Sequence, residues 1–256
     1  MSDFDRNFAT ARPGYGTDQV AIDAGLRAYM VRVYNYMASG VALTGVVAWL
    51  TYQAAGGDAI QVFHGQVSGL TGFGQAIFSG PVTIILALAT LGLVFFMSFR
   101  VNRMSVSAAL TLFFVYAGLL GLFLSSIFLQ YTGASITRVF FISAATFGAM
   151  SLWGYTTQRD LTGIGSFMLM GLVGLVVAML VNIFLKSSGL DWAISVIGVL
   201  IFVGLTAYDT QRIKEMYSVQ DDGTIAGRKA VMGALSLYLD FINLFLMLLR
   251  LLGDRR

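Results

Sequence analysis

Residues 164–185 read IGSFMLMGLVGLVVAMLVNIFL, twenty-two positions without a charged side chain. A hydrocarbon core of about 30 Å takes roughly 20 apolar residues of helix, so this one segment is long enough to cross a bilayer. Its apolar run is continuous. The strand of a membrane barrel instead shows about ten residues of period-two alternation, so the barrel reading fails. Working outward, six further segments satisfy the same criterion: 31–54, 80–99, 106–129, 138–157, 192–212 and 231–252. The expected fold is an all-α membrane protein with seven transmembrane helices.

Composition agrees with that reading. The 256 residues are 57% hydrophobic and 11% charged, with a mean hydropathy of +0.78. A soluble domain carries about 25% charged residues, mostly on its surface, so a surface this poor in charge requires lipid as solvent. There is no cysteine, which excludes disulfide and thiolate chemistry. The single histidine, His64, is expected to be a solvated loop residue, since one imidazole cannot hold a metal alone. The first 24 residues contain Asp3, Asp5, Asp18, Asp23 and Pro13 and no apolar core of a signal peptide. The expected organisation is a polar tail, 1–24, and one transmembrane domain, 25–256, whose first span acts as an uncleaved insertion signal. The longer connections, 55–79 and 213–230, are too short for a second domain.

The glycine pairs Gly118/Gly121 and Gly171/Gly174 lie within apolar spans, where close helix approach is the expected use and a phosphate loop lacks its strand-to-helix context. Lys and Arg divide eleven to five between alternate sides of the spans, which predicts a cytoplasmic N-terminus. The basic residues Arg250, Arg255 and Arg256 pull the other way and leave open whether the last span crosses completely. Asp160 and Asp191, at the starts of spans, are expected as helix N-caps. Lys186 is expected to snorkel, and Asn182 to hydrogen-bond between helices. No Ser/His/Asp cluster, HExxH or Walker motif is present, so no catalytic residue, enzymatic activity or cofactor is expected. Nucleic-acid binding is also excluded, for want of a basic patch with interleaved aromatics.

Two side chains contradict the apolar pattern. Asp209 lies within Phe202-Val-Gly-Leu-Thr-Ala-Tyr-Asp-Thr-Gln-Arg212, and Asp240 within Leu237-Tyr-Leu-Asp-Phe-Ile-Asn243. A charge at membrane depth costs about 2.5–3.5 kcal/mol on insertion scales, so each acid marks a functional candidate. If the sixth helix runs to about Tyr217 and the seventh starts near Val231, both acids lie roughly 12–13 Å from the same end of antiparallel neighbours. Ser236, Asp240 and Asn243 form one polar stripe on the seventh helix, and Thr206 shares a face with Asp209 on the sixth. Two carboxylates in one dry site cannot both ionise freely and would titrate as a unit, and their ionised oxygens suit a hard cation such as Ca²⁺. The alternative is that Asp209 pairs with Arg212, or another basic residue, and only locks two helices together. Spacing leaves both readings standing.

The segments Gly204-Leu-Thr-Ala-Tyr-Asp-Thr-Gln-Arg-Ile213 and Leu235-Ser-Leu-Tyr-Leu-Asp-Phe-Ile-Asn-Leu-Phe245 resemble the signatures of the Bax inhibitor-1 family, in its bacterial form. Supporting similarity runs from Leu26 to Gly253, including Arg32-Val-Tyr-Asn-Tyr-Met37 and Thr157-Gln-Arg-Asp-Leu161. The resemblance implies a central seventh helix wrapped by the other six and a pH-sensitive Ca²⁺ leak. It further implies a pH-sensing aspartate pair, which maps to Asp209 and Asp240, and a counter-charge after the second helix, Arg103 or else Arg100. The acidic residue that some members carry in the second helix has no counterpart between Pro81 and Phe99. Expected partners are the bilayer, calcium and protons, in a bacterial inner membrane. Bacterial relatives also suggest a non-transporting regulator of membrane proteins such as a membrane-bound protease, with residues 1–24 as its handle. An intramembrane aspartyl protease fits poorly, because Tyr208-Asp209 lacks a Gly-Leu-Gly-Asp partner.

Overall fold

The computed structural model describes residues 15–63 and 66–256. His64 and most of the polar tail lie outside the described residues. The chain runs α1 (Tyr15–Ala54), β1 (Gln61–Phe63), β2 (Gln66–Ser68), α2 (Gly72–Ile77), α3 (Gly80–Arg100), α4 (Val106–Leu124), α5 (Ile127–Gln130), α6 (Gly133–Thr156), α7 (Thr162–Leu185), α8 (Ser188–Glu215) and α9 (Gly223–Leu252). Seven helical segments, Ala24–Ala54, Gly80–Arg100, Val106–Gln130, Gly133–Thr156, Thr162–Leu185, Ser188–Glu215 and Gly223–Leu252, have the length and apolarity to cross a membrane. They match the seven expected spans, and several start earlier, because a helix continues through its interfacial turns after the apolar run has ended. The same effect carries α1 back to Tyr15, into the stretch expected as tail. The 55–79 connection contains a short antiparallel hairpin pairing Val62 with Val67. Gly69 holds a φ of +80° there, with Ala59 O so close that a Cβ would sit 2.1 Å from it.

Short polar side chains start the helices. Ser105, Thr132 and Ser187 accept from the amides of Ala108, Ser135 and Leu190, and Asp222 Oδ1 accepts from Thr224 N and Ile225 N at 2.9 and 2.7 Å. Asp160 behaves nearly as expected. Its Oδ1 accepts from Thr162 N at 2.8 Å, and the Thr162 hydroxyl and amide, in that order, hold its carboxyl below the usual carboxylate range. Asp191 is a correction, because Ser187 caps α8 and Asp191 in its first turn faces Arg250 and Arg255 at 3.7 and 3.9 Å. Asn182 is a second correction: Oδ1 accepts from Ser187 N at 3.0 Å and closes the α7–α8 turn rather than bridging helices. Lys186 is exposed and ends α7 in the left-handed conformation, φ 49°.

The helices are not equivalent. In α9, 72% of the apolar span is buried, against 6% in α7. The principal packing partners of α9 are α1, α4, α6 and α8, while α3 packs chiefly on α4 and α7 on α8. The expected wrapping of α9 by six helices is thus made mainly by four. One face of α9 is left less buried, the stripe Met232, Ser236, Leu239, Asn243 and Leu246. Of the glycines expected to serve close approach, Gly121 does so, with a Cβ position 2.8 Å from Thr44 O of α1. Gly118 and Gly174 face open space, and Gly171 meets only Ile201. The tightest crossing is Gly154 of α6 on α8, 2.2 Å from Ala207 O.

The C-terminus answers the question of the last span. After α9, Thr132 N donates to Asp254 O and Arg256 N to Gln130 O, so the chain end lies against the α4–α6 connection. α9 is thus one unbroken helix of 30 residues that does not turn back, with the length and apolarity to cross completely. Its basic end is held by specific partners: Asp191 for Arg250 and Arg255, and Tyr52 Oη at 3.1 Å for Arg256, while Asp254 takes Arg138 at 3.0 Å.

Candidate functional site

α8 and α9 run antiparallel, and their register follows from two close approaches, Gly233 against Ile213 and Gly198 against Met247. In that register Asp209 is level with Leu237, and Asp240 lies three residues, about 4.5 Å, farther along the pair. The expected helix ends need correcting, since α8 stops at Glu215 and α9 begins at Gly223. The acids still converge, because interhelical contacts set their level and the first turns of α9 simply project past α8.

Both acids line one cavity of about 370 Å³ between α7, α8 and α9, together with Ser236 and Asn243. Its remaining wall is apolar, including Leu172, Val176 and Met179 of α7. Asp240 is only 5% exposed, and its Oδ2 is buried with no hydrogen-bond partner. Asp209 is half-buried. Neither acid forms an ion pair within 4.0 Å among the described residues. Arg212, one turn beyond Asp209, is exposed yet stays within its electrostatic reach. Asn243 Nδ2 donates to Leu239 O at 2.8 Å, which leaves its carbonyl oxygen uncommitted. Thr206 is fully buried, donates to Phe202 O at 2.7 Å and does not line the cavity.

Arg100 and Arg103 are exposed at the end of α3. The 3-10 turn Val101–Arg103 packs near the start of α9, where Val101 shares a small cavity with Arg228, Lys229 and Met232. Met232 is eight residues, about 12 Å, short of Asp240, so this arrangement does not bring either arginine to the acid pair. Among the described residues no group of three or more His, Cys, Asp or Glu side chains could hold a metal ion. The two carboxylates share their cavity with the Asn243 amide and the Ser236 hydroxyl, and Arg212 of α8 stands within electrostatic reach of Asp209.

The residues around Asp209 each face a different element. Gly165 of α7 seats the ring of Tyr208. Thr210 donates to Thr206 O at 2.8 Å, so Ser151 of α6 must be the donor in the 3.0 Å bond to Thr210, and Tyr34 of α1 the donor to Ser151. Gln211 clamps the α6–α7 loop, accepting from Leu161 N and donating to Arg159 O, each at 2.8 Å. On α9, buried Tyr238 donates to Thr44 Oγ1 at 2.6 Å, because the Thr44 hydrogen is committed to Gly40 O or Ala117 O. These positioning residues fall inside the quoted motifs or beside them. Sequence spacing shows that they are polar and deep, and only the fold shows which helix each one ties.

The sequence model of the family described as inhibitor of apoptosis-promoting Bax1 matches residues 26–256. The chain belongs to the Bax inhibitor-1 family. It is 50% identical over 234 residues to the uncharacterized protein RP147 of Rickettsia prowazekii, covering 91% of this chain and 92% of that one. It is 47% identical over 236 residues to the inner membrane protein YbhL of Escherichia coli, covering 91% and 94%. An uncharacterized protein of Caulobacter vibrioides is 42% identical along the full length of both chains. This Bax inhibitor-1 family member is thus a multi-pass integral membrane protein, and the matched region takes in all seven spanning helices apart from the first residues of α1.

Proposed function

We propose that this protein is a passive Ca²⁺ leak of a bacterial inner membrane, N-terminus cytoplasmic, whose flux is set by protonation of the Asp209–Asp240 pair. The observation that carries the reading is the convergence of two carboxylates, from adjacent spanning helices, on one cavity where Asp240 Oδ2 has no hydrogen-bond partner. An intramembrane acid without a structural partner is expensive to keep and is a functional group by default. Two carboxylates, one amide and one hydroxyl reach six oxygens only if both carboxylates bind through both of their oxygens, the lower end of the six to eight around Ca²⁺, which suits transient occupancy with water completing the shell.

The sign follows from competition. A proton on either carboxylate removes negative charge from the cavity, so cation affinity rises with pH as the pair ionises. The counter-charge role of Arg103 or Arg100 belongs to a closed arrangement in which the end of α3, already beside the start of α9, moves along that helix toward the acid pair. The test is Ca²⁺ entry into proteoliposomes across about pH 6 to pH 8, comparing wild type with Asp209→Asn. A pH-dependent wild-type flux that flattens in the variant supports the proposal. Superimposable profiles contradict it.

A further inference from the structure

α1 and α6 both pack against the α8–α9 pair, but between them a crevice of about 460 Å³ opens toward lipid. Its walls include Arg27, Val31 and Tyr34 of α1 and Phe147, Gly148 and Tyr155 of α6. Val31 and Leu152, at its edges, are 51% and 64% exposed, so the opening is lateral. The Tyr34–Ser151 hydrogen bond crosses its floor.

The crevice is amphipathic along its length. Arg27 lies seven residues, about 10 Å, from Tyr34, in the first turn of its span and so at the level of the membrane interface. Lys214 of α8 reaches the same end, donating to Tyr155 O at 2.9 Å with its ammonium 5.6 Å from the ring centroid. Two cations from different helices therefore stand at one end, and no acidic side chain is within ion-pair distance of either among the described residues. Below them the walls are apolar. At Gly148 an added Cβ would meet nothing within 4 Å, so that glycine does not serve close helix packing and instead leaves the crevice open.

We propose that this crevice binds an anionic diacyl phospholipid, with its phosphate at Arg27 and Lys214 and one acyl chain lying along Val31, Phe147 and Gly148. A free phosphate would have no use for the apolar shaft. A zwitterionic headgroup would bring its own cation to an end that already holds two.

The test is native mass spectrometry of the intact protein in mild detergent, titrated with phosphatidylglycerol, phosphatidylcholine or glycerol phosphate. Wild type should retain phosphatidylglycerol about fivefold better than phosphatidylcholine and should not retain glycerol phosphate. Arg27→Gln should lose the headgroup preference and keep weak binding of both lipids. Gly148→Leu, which fills open space, should lose both while melting as wild type does in lipid-free detergent. Equal retention of the two lipids by wild type, retention of glycerol phosphate, or wild-type behaviour in both variants overturns the proposal. If Gly148→Leu does not fold, the Arg27→Gln comparison decides alone.

Discussion

Asp240 shows at the scale of one residue how function and stability oppose each other. A carboxylate oxygen buried without a hydrogen-bond partner costs about 1–3 kcal/mol relative to a satisfied group. Asp240→Asn keeps the shape and removes the charge, so it should raise the melting midpoint in detergent by an amount equivalent to about 1 kcal/mol or more, while abolishing pH-dependent flux. An equal or lower midpoint would argue that an unseen partner already satisfies the acid. Lys186 makes the opposite case, a strained position without a site. Its φ of 49° costs a residue with a Cβ about 1 kcal/mol, so Lys186→Gly should stabilise by that order in thermal denaturation. Both acids were legible in the sequence because a charge inside a long apolar run is costly to insert and so stands out, whether it serves function or a helix-locking ion pair. The strain at Lys186 was not, since snorkelling and a left-handed cap place the same residue type at the same helix end.

At the scale of the element, α8 is held by contacts that allow little room for change. A Cβ at Gly154 would sit 2.2 Å from Ala207 O, a backbone atom two residues before Asp209. Gly154→Ala should therefore push α6 from α8, costing about 1–3 kcal/mol, and should disturb flux as well as stability. By contrast Gly148→Ala, about one and two-thirds turns away and facing open space, should be neutral in the same melting assay. The sequence pointed to the pairs Gly118/Gly121 and Gly171/Gly174, of which Gly121 packs closely on α1, Gly171 meets only Ile201, and Gly118 and Gly174 face open space, and it passed over Gly154. Glycine frequency carries the signal that helices approach closely. Which glycines do so depends on helix rotation, and a nearly uniform apolar helix such as α4 does not reveal its buried face. α9 did reveal its face, because Ser236 and Asn243 lie on its less buried stripe and buried Asp240 stands beside them, all three lining the cavity toward α7 and α8.

At the scale of the whole molecule, the spans and their order were readable because bilayer thickness fixes the length of an apolar run. The course of the C-terminus was not. Its three arginines, counted as topology signals, are held by Asp191 and Tyr52 on the face where α9 ends, so their charge has a local structural use. These are exposed or half-exposed pairs, worth about 0–1 kcal/mol each, so Asp191→Ala should lower stability only slightly and leave flux unchanged. A large loss would show that the chain end closes the fold instead of trimming it. The seven helices then amount to a scaffold that carries two acids to one cavity, and the proposed function requires those acids to act as a unit. The most direct measurement is Ca²⁺ flux against pH for Asp209→Asn, Asp240→Asn and the double variant in proteoliposomes. Groups that work as one unit are strongly non-additive, so the double variant should be no more impaired than either single variant. Independent, multiplying losses would contradict the account.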